Sequence, residues 1–394
     1  MSMNVLVLNG GSSSIKFSLF HVTDGQAEPK LLLDGELSNM AEPKAKLTLS
    51  HPKQEHSVPG AGTHAETIAI VLDAVEKAAA GTIEAVGYRV VHPGPHLHDH
   101  ALITDALLKE LEAAADFAPL HDPEAIAIIR ETMQRLPAVP HVACFDTVFH
   151  QTMPPEASTY PIPKDLRDRG IKRYGFHGLS CESVVRQLQQ TGQLPHRIVI
   201  AHLGSGCSVT AVLDGQSIDT TMGFTPTGGI VMGTRPGDLD PGLMLYLLRQ
   251  ETATDAASKV EQMLNHRAGM VALTGLANDM KAVREAATNG DEASLLAIKV
   301  FTRSIRKAIG GFAWLMGGLD AIVFTGGIGE HDAATRSEVM QDTEVSLDSS
   351  HNATQGTGIR RINAPHSRTA VYAVTAQEDL VIALHVKRIV SANA

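Results

Sequence analysis

The chain is poor in cysteine. Cys144, Cys181 and Cys207 are odd in number and unclustered, which argues against both a disulfide framework and a zinc site. Long apolar runs are missing too. The stretch nearest the start is Val5–Leu8, with no basic residues before it, so neither a secretory signal nor a membrane span is expected. Positive charge is not in excess: a formal net charge of −10 and a pI of about 6.0 leave no basic stripe for nucleic acid. There is no low-complexity tract, no long charge run and no G-x-x-x-x-G-K-[ST] signature, so the chain is not a P-loop protein. What remains is an ordinary globular composition, 43% apolar and 19% charged, over 394 residues. That length carries two to three domains, and a cytoplasmic enzyme is the default expectation.

What the chain does have is a repeat. Residues 4–20 (NVLVLNGGSSSIKFSLF) and 197–213 (RIVIAHLGSGCSVTAVL) each read as strand, small-residue turn, strand. Asn9 aligns with His202, Gly11 with Gly204 and Ser12 with Ser205. Two such hairpins predict a duplicated fold with a nucleotide phosphate chain between its halves.

Helical and strand-like segments alternate throughout, which indicates an α/β architecture. Thr63 and Glu66 form a capping-box pattern, opening a helix with Ile68, Val71, Leu72 and Val75 on one face. Residues 85–91 read as a buried strand. Asp122-Pro123 reads as a helix start, the aspartate capping and the helix running to about Leu136; a strand over 141–145 then ends at Asp146. The Pro-rich stretch 153–170 marks the crossover between domains. In the second half, Asp240-Pro241 opens a capped helix, and Leu295, Ile298, Phe301, Ile305 and Phe312 mark a long buried one. A strand over 320–325 empties into GGIGE, and the C-terminal LVIALHVKRIV is expected to be a helix packing back on the first domain. The expected domains are 1–150, with 380–394 returning to it, and 151–379.

Several residues carry chemistry. In Asn9-Gly10-Gly11-Ser12-Ser13-Ser14 with Lys16, glycines allow close approach of an anion, and hydroxyls and turn N–H groups can donate to phosphate; a plain tight turn would use the same residues. Thr325-Gly326-Gly327-Ile328-Gly329-Glu330 suits packing against a base and ribose, or is a ligand-free connection. Arg89 and Arg235 are cations of the kind phosphoryl transfer needs. Asp146 is placed like a magnesium-site or water-positioning carboxylate, and Glu378 is placed to serve the same ion from another direction, with a salt bridge or helix cap as the plain alternative. His177, between Gly175 and Gly178, is either a structural donor or a group reaching into a crowded site.

Taken together, LNGGSSSIKF, YRVVH, APLH, FDTVFH, YGFHG, HLGSG, MGTR with GDLDP, TGGIGE and ED-L-IA resemble the acetate kinase family, within the acetate and sugar kinase/Hsc70/actin superfamily. The likeness runs from Asn4 to about Leu384. It implies a duplicated, two-domain actin-like (ribonuclease H-like) fold with mixed sheets flanked by helices, closing over ATP and a short carboxylate in an interdomain cleft. It also implies a homodimer and Mg²⁺ or Mn²⁺. By resemblance, Asn9, Ser14 and Lys16 meet phosphate and metal, and Glu378 joins Asn9 at the metal. Arg89 and Arg235 hold the substrate carboxylate and the transferring phosphoryl group, His177 donates to that group, and Asp146 positions the reactants. Val91, Leu120, Phe176 and Pro226 match the methyl pocket. His202, Gly204, Ser205 and Gly206 match the second phosphate turn, and Asp279, Lys281, Gly327, Ile328 and Glu330 the nucleotide site.

The chain departs from the family at Ser205 and His331, where asparagine is usual, and at Lys281, where arginine is common. Cys181 replaces a typical histidine. In VHPGPHLHDH, His96, His98 and His100 alternate like metal ligands on a strand, but a loop-like rim with solvated histidines is the preferred reading. The expected reaction is reversible, in-line, ATP-dependent phosphorylation of acetate. Propionate or butyrate kinase and a pyrophosphate-dependent acetate kinase are nearby alternatives, and an actin-like ATPase switch is a distant one.

Overall fold

In the computed structural model the chain is described except for residues 1, 12–13, 24–27, 41, 51–52, 79–80, 115–121, 193, 252–254 and 394. It forms two compact units, Met1–Val148 with Gln377–Ala394, and Phe149–Ala376.

The described residues of the first unit build an eight-stranded sheet in the order β5-β4-β3-β2-β1-β6-β8-β7. Its strands are β1 (Ser2–Gly10), β2 (Ser14–Thr23), β3 (Lys30–Ser38), β4 (Lys44–Ser50), β5 (Lys53–Pro59), β6 (Ala85–Val90), β7 (Ala101–Leu102) and β8 (His141–Phe145). The β1–β2 hairpin is antiparallel, with Asn9 opposite Lys16, whereas β1, β6 and β8 run parallel. Parallel strands buried on both faces need continuous apolar runs, and β8 (HVACF) is buried along its whole length. One face is covered by the helices His64–Lys77 and Asp122–Arg135. The first begins with the capping box read from the sequence, Thr63 and Glu66 each accepting the other's backbone N–H. The helix Glu378–Ala392 also packs in this unit. Gly87 of β6 leaves no room for a Cβ, which would come within 2.6 Å of Ile382 and Val386 of that helix.

The described residues of the second unit repeat the plan in six strands, ordered β11-β10-β9-β12-β14-β13. They are β9 (Arg197–Leu203), β10 (Cys207–Leu213), β11 (Gln216–Thr220), β12 (Ala321–Thr325), β13 (Ile359–Arg361) and β14 (Ala370–Val374). Here β9–β10 is the antiparallel hairpin and β9, β12 and β14 are the parallel trio. Asp240 caps the helix Pro241–Gln250, accepting from the N–H groups of Gly242 and Leu243.

Three local expectations are corrected. The long helix Glu292–Leu315 buries Ile298, Phe301 and Ile305, but Leu295 is 41% exposed because it falls outside the stripe those residues define. His96 and His98 are exposed, whereas His100 is buried: it leads into β7, and its Nδ1 accepts the Phe145 N–H at 3.0 Å. Burial, with His385 packed edge-on at 4.1 Å, pushes the His100 imidazole down to about 3. Asp122 is the first residue of its helix, and its carboxylate turns away to the segment following β6.

Candidate active site

In both units several motif residues lie at the C-terminal ends of the parallel strands, where an open α/β sheet leaves room for ligands. In the first unit Asn9 is the penultimate residue of β1, Arg89 that of β6, and Asp146 follows β8. Adjacency of β1 and β6 brings Asn9 to Arg89, whose Nη1 donates to Asn9 Oδ1 at 3.4 Å. Arg89 Nη2 pairs with Oδ2 of Asp146, a carboxylate only 1% exposed. Burial opposes the Arg89 charge, but Asp146, Glu378 and Asp379 outweigh it and push its pKa well above the usual range. The guanidinium is thus permanently charged. Its Nε is buried without a hydrogen-bond partner among the described residues, leaving a donor for an anion.

Glu378 opens the C-terminal helix. Its neighbour Asp379 is committed to Ser18, whose hydroxyl donates to Oδ2 at 2.7 Å; burial raises Asp379 to about 6 against that bond. Val91 is nearly buried just past β6, Ser14 starts β2, and Lys16 is exposed. Gly10 lets the helix Asp122–Arg135 pack close, because a Cβ there would displace the Ile128 side chain. Leu120, Ser12 and Ser13 lie outside the described residues.

In the second unit the YGFHG segment is a rigid turn. Gly175 has φ 76°, and a Cβ on it would lie 2.8 Å from the His150 ring. His150 is buried beneath it, accepting from Ser217 Oγ on Nδ1 and donating from Nε2 to the Phe176 carbonyl, both at 2.9 Å. Burial lowers the His150 imidazole to about 4, so it is neutral and structural. Phe176 is 1% exposed. His177 adopts a left-handed backbone (φ 59°, ψ 28°) and starts the helix Gly178–Gln190. Its ring stacks on His202 at 4.1 Å between centroids, with Nδ1 3.0 Å from Ser208 Oγ. Ser180 Oγ meets His202 Nδ1 at 2.8 Å.

The Gly204–Gly206 turn completes the arrangement. A Cβ on Gly206 would lie 3.4 Å from His177 Nε2 and 3.7 Å from Arg235 Nη2. An imidazole and a guanidinium therefore converge over the open floor of a glycine turn. Arg235 is aimed by its other nitrogen, Nη1 donating to the carbonyl of buried Pro226 at 2.7 Å.

Next to that turn is a cleft of about 510 Å³ lined by Gly204, Ser205, Asn278, Asp279, Lys281, Gly327, Ile328 and His331, among others. Asp279 caps the helix Met280–Thr288 through the Lys281 N–H. TGGIGE coils into a short helix, Gly326–His331, with Gly326 at φ 76° against the Leu203 carbonyl. Glu330 does not line this cleft: its Oε1 accepts the Gly326 and Ala376 N–H groups and braces the loop from behind. Sequence reasoning missed Ser208, Ser180, His150 and Asn278. Ser208 carried a usable signal, since pairing the hairpin about Gly204–Gly206 sets it opposite His202.

A sequence profile described as the acetokinase family matches residues 4–384. The chain belongs to the acetokinase family. Curated relatives include a propionate kinase of Citrobacter rodentium, 38% identical over 100% of this chain and 98% of that protein. An acetate kinase of Caldanaerobacter subterraneus is 38% identical over 98% of this chain and 99% of its own. Among solved structures, a propionate kinase from Francisella tularensis superposes with a TM-score of 0.88 at 35% identity. The Porphyromonas gingivalis acetate kinase gives 0.86 at 32%; each comparison covers 98% of this chain and 100% of the other. As an acetokinase-family member the chain is a kinase, and its duplicated α/β fold with two mixed sheets is the one expected from the sequence. No helix among the described residues is long and apolar enough to cross a membrane.

Proposed function

We propose that this kinase transfers the γ-phosphoryl group of ATP to acetate, reversibly and by direct in-line displacement. The observation that carries the reading is the convergence of His177 Nε2 and Arg235 Nη2 over Gly206. A carboxylate is already an oxygen nucleophile, so no strong base is needed. Catalysis reduces to alignment and to neutralising charge on a metaphosphate-like group. Arg235 supplies a fixed cation and His177 a donor, held in place by Ser208 and by the His202 ring. Arg89, kept charged by Asp146, attracts and orients the acetate carboxylate. ATP as donor is supported by the cleft beside Gly204 and Gly327, whose 510 Å³ is the size of a small-molecule site and ample for a nucleoside.

Asn9 and Glu378 fit a magnesium ion. Both offer hard oxygens, the Asn9 Oδ1 beside Arg89 and the Glu378 carboxylate at the start of its helix. The bound ion would supply charge neutralisation on the phosphate chain. A cytoplasmic homodimer completes the proposal. Supporting the dimer, the helix Pro241–Gln250 has no buried residue, and Tyr246 (57%), Trp314 (90%) and Leu315 (58%) are exposed in the same unit. Large apolar side chains left in water are what a second copy would cover. Sedimentation equilibrium should give twice 41.9 kDa, and a monomer at micromolar concentration would end that part of the reading.

The direct test is acyl hydroxamate formation from acetate, propionate and butyrate with ATP and Mg²⁺. The highest kcat/KM is expected with acetate. A preference for propionate would keep the mechanism and move the specificity, and product only with pyrophosphate would replace the donor. Val91→Ala should raise propionate relative to acetate by about 10-fold, the discrimination a methylene usually carries. An unchanged ratio would place the acyl group elsewhere.

A further inference from the structure

We propose that Asp122 is a positioning residue that sets which carboxylic acid is used, by fixing the backbone that presents Val91. The inference rests on the reading of Val91 as a wall of the acyl pocket. Val91 and His92 lie just beyond β6, where the strand ladder has ended. Asp122 Oδ1 takes over that task, accepting the Val91 N–H at 3.2 Å and the His92 N–H at 3.3 Å. The chain is tied again two residues on, where the Gly94 N–H donates to His92 Nδ1 at 2.8 Å. Asp122 is itself a fixed post, because its helix buries Ile126, Ile128 and Ile129 in the core. The brace therefore joins the strand that carries Arg89 to the helix that follows the segment holding Leu120.

A brace alone does not explain the second oxygen. Asp122 Oδ2 is buried and has no hydrogen-bond partner among the described residues. Native proteins seldom leave a buried polar atom so, and buried groups with strongly shifted pKa values cluster at functional sites. Burial raises the Asp122 carboxyl to about 7; the His92 and Val91 N–H bonds oppose this, the Asp146 charge adds to it and Arg89 opposes it. Among the described residues, the charged groups that act on it are thus Arg89 on β6 and Asp146 after β8, while His92 offers its backbone N–H. Below neutrality Asp122 is uncharged, and an anionic substrate meets Arg89 with Asp146 as its counter-charge. Above neutrality a further carboxylate appears near that ion pair and repels the incoming acid. The KM for acetate therefore rises with pH through neutrality, while the KM for ATP does not follow it.

The experiment compares wild type, Asp122→Asn and Asp122→Ala. KM is measured for acetate, propionate and ATP from pH 6 to 8.5, with circular dichroism melts alongside. Asparagine keeps an acceptor oxygen for both N–H groups and removes the charge, so the acetate KM should lose its pH dependence while the acid preference stays. Alanine removes the brace, and preference should move toward propionate by about 10-fold with the ATP KM unchanged. An Asp122→Asn enzyme with the wild-type pH profile would overturn the inference, as would a folded Asp122→Ala enzyme with wild-type preference. Should Asp122→Ala fail to fold, the Asp122→Asn pH profile decides alone. Wild type that phosphorylates no acid would overturn the kinase reading and this inference with it; active wild type with unmoved variants overturns the inference alone.

Discussion

Arg235→Ala is expected to lower kcat by about three orders of magnitude, roughly 4 kcal/mol of transition-state stabilisation, with ATP affinity nearly unchanged. The size of the effect follows from preorganisation. Arg235 is half-buried, and its Nη1 is anchored on the Pro226 carbonyl at 2.7 Å, so little reorientation is needed when charge develops. The Nη2 end faces Gly206, where no side chain intervenes. Lysine should rescue little, because a single ammonium on a flexible stem cannot hold the Pro226 carbonyl and a phosphoryl oxygen as a planar fork does. Steady-state hydroxamate formation gives kcat, and calorimetric titration gives ATP affinity. A variant within about tenfold of wild-type kcat would remove Arg235 from the transition state.

His177 should come next, with a loss of about 100-fold in kcat on removal of its donor, and little change in the KM for ATP. The substitution needs care. His177 has φ 59°, where alanine is strained and asparagine is better tolerated, so His177→Asn separates lost chemistry from lost backbone geometry. The melting temperature should stay near wild type, because the turn is held from below by His150, which donates to the Phe176 carbonyl. A His177→Asn enzyme with unchanged kcat would make the imidazole a structural partner of Ser208 and nothing more.

Legibility in the sequence depended on whether a feature is local. The two hairpins and the helix starts at Thr63 and Asp240 are set by residues within a few positions of one another, and they could be read directly. The motif residues Asn9, Arg89 and Asp146 could be named singly. Their meeting depends on the parallel order β1-β6-β8, which joins strands far apart in the chain. Asp122 looked like a helix cap because Asp-Pro so often is one, but its carboxylate answers a tertiary demand from Val91 and His92 that no local pattern records. His100 failed for the same reason: an alternating histidine run looks solvated until the Phe145 N–H claims one of its members. Leu295 failed because a periodic apolar position at a helix's start need not lie under its neighbours.

The helix Glu378–Ala392 belongs to the first unit although the whole of Phe149–Ala376 is synthesised before it. Ile382 and Val386 pack on Gly87, so during translation the sheet around β6 waits with an apolar face uncovered. At about 5–20 residues per second the wait is on the order of ten seconds or more, and it ends only when Glu378–Ala392 has cleared the ribosome. The unit begun first is therefore completed after the second. A chain truncated before Gln377 would lose Glu378 and also carry a permanently exposed, aggregation-prone sheet face.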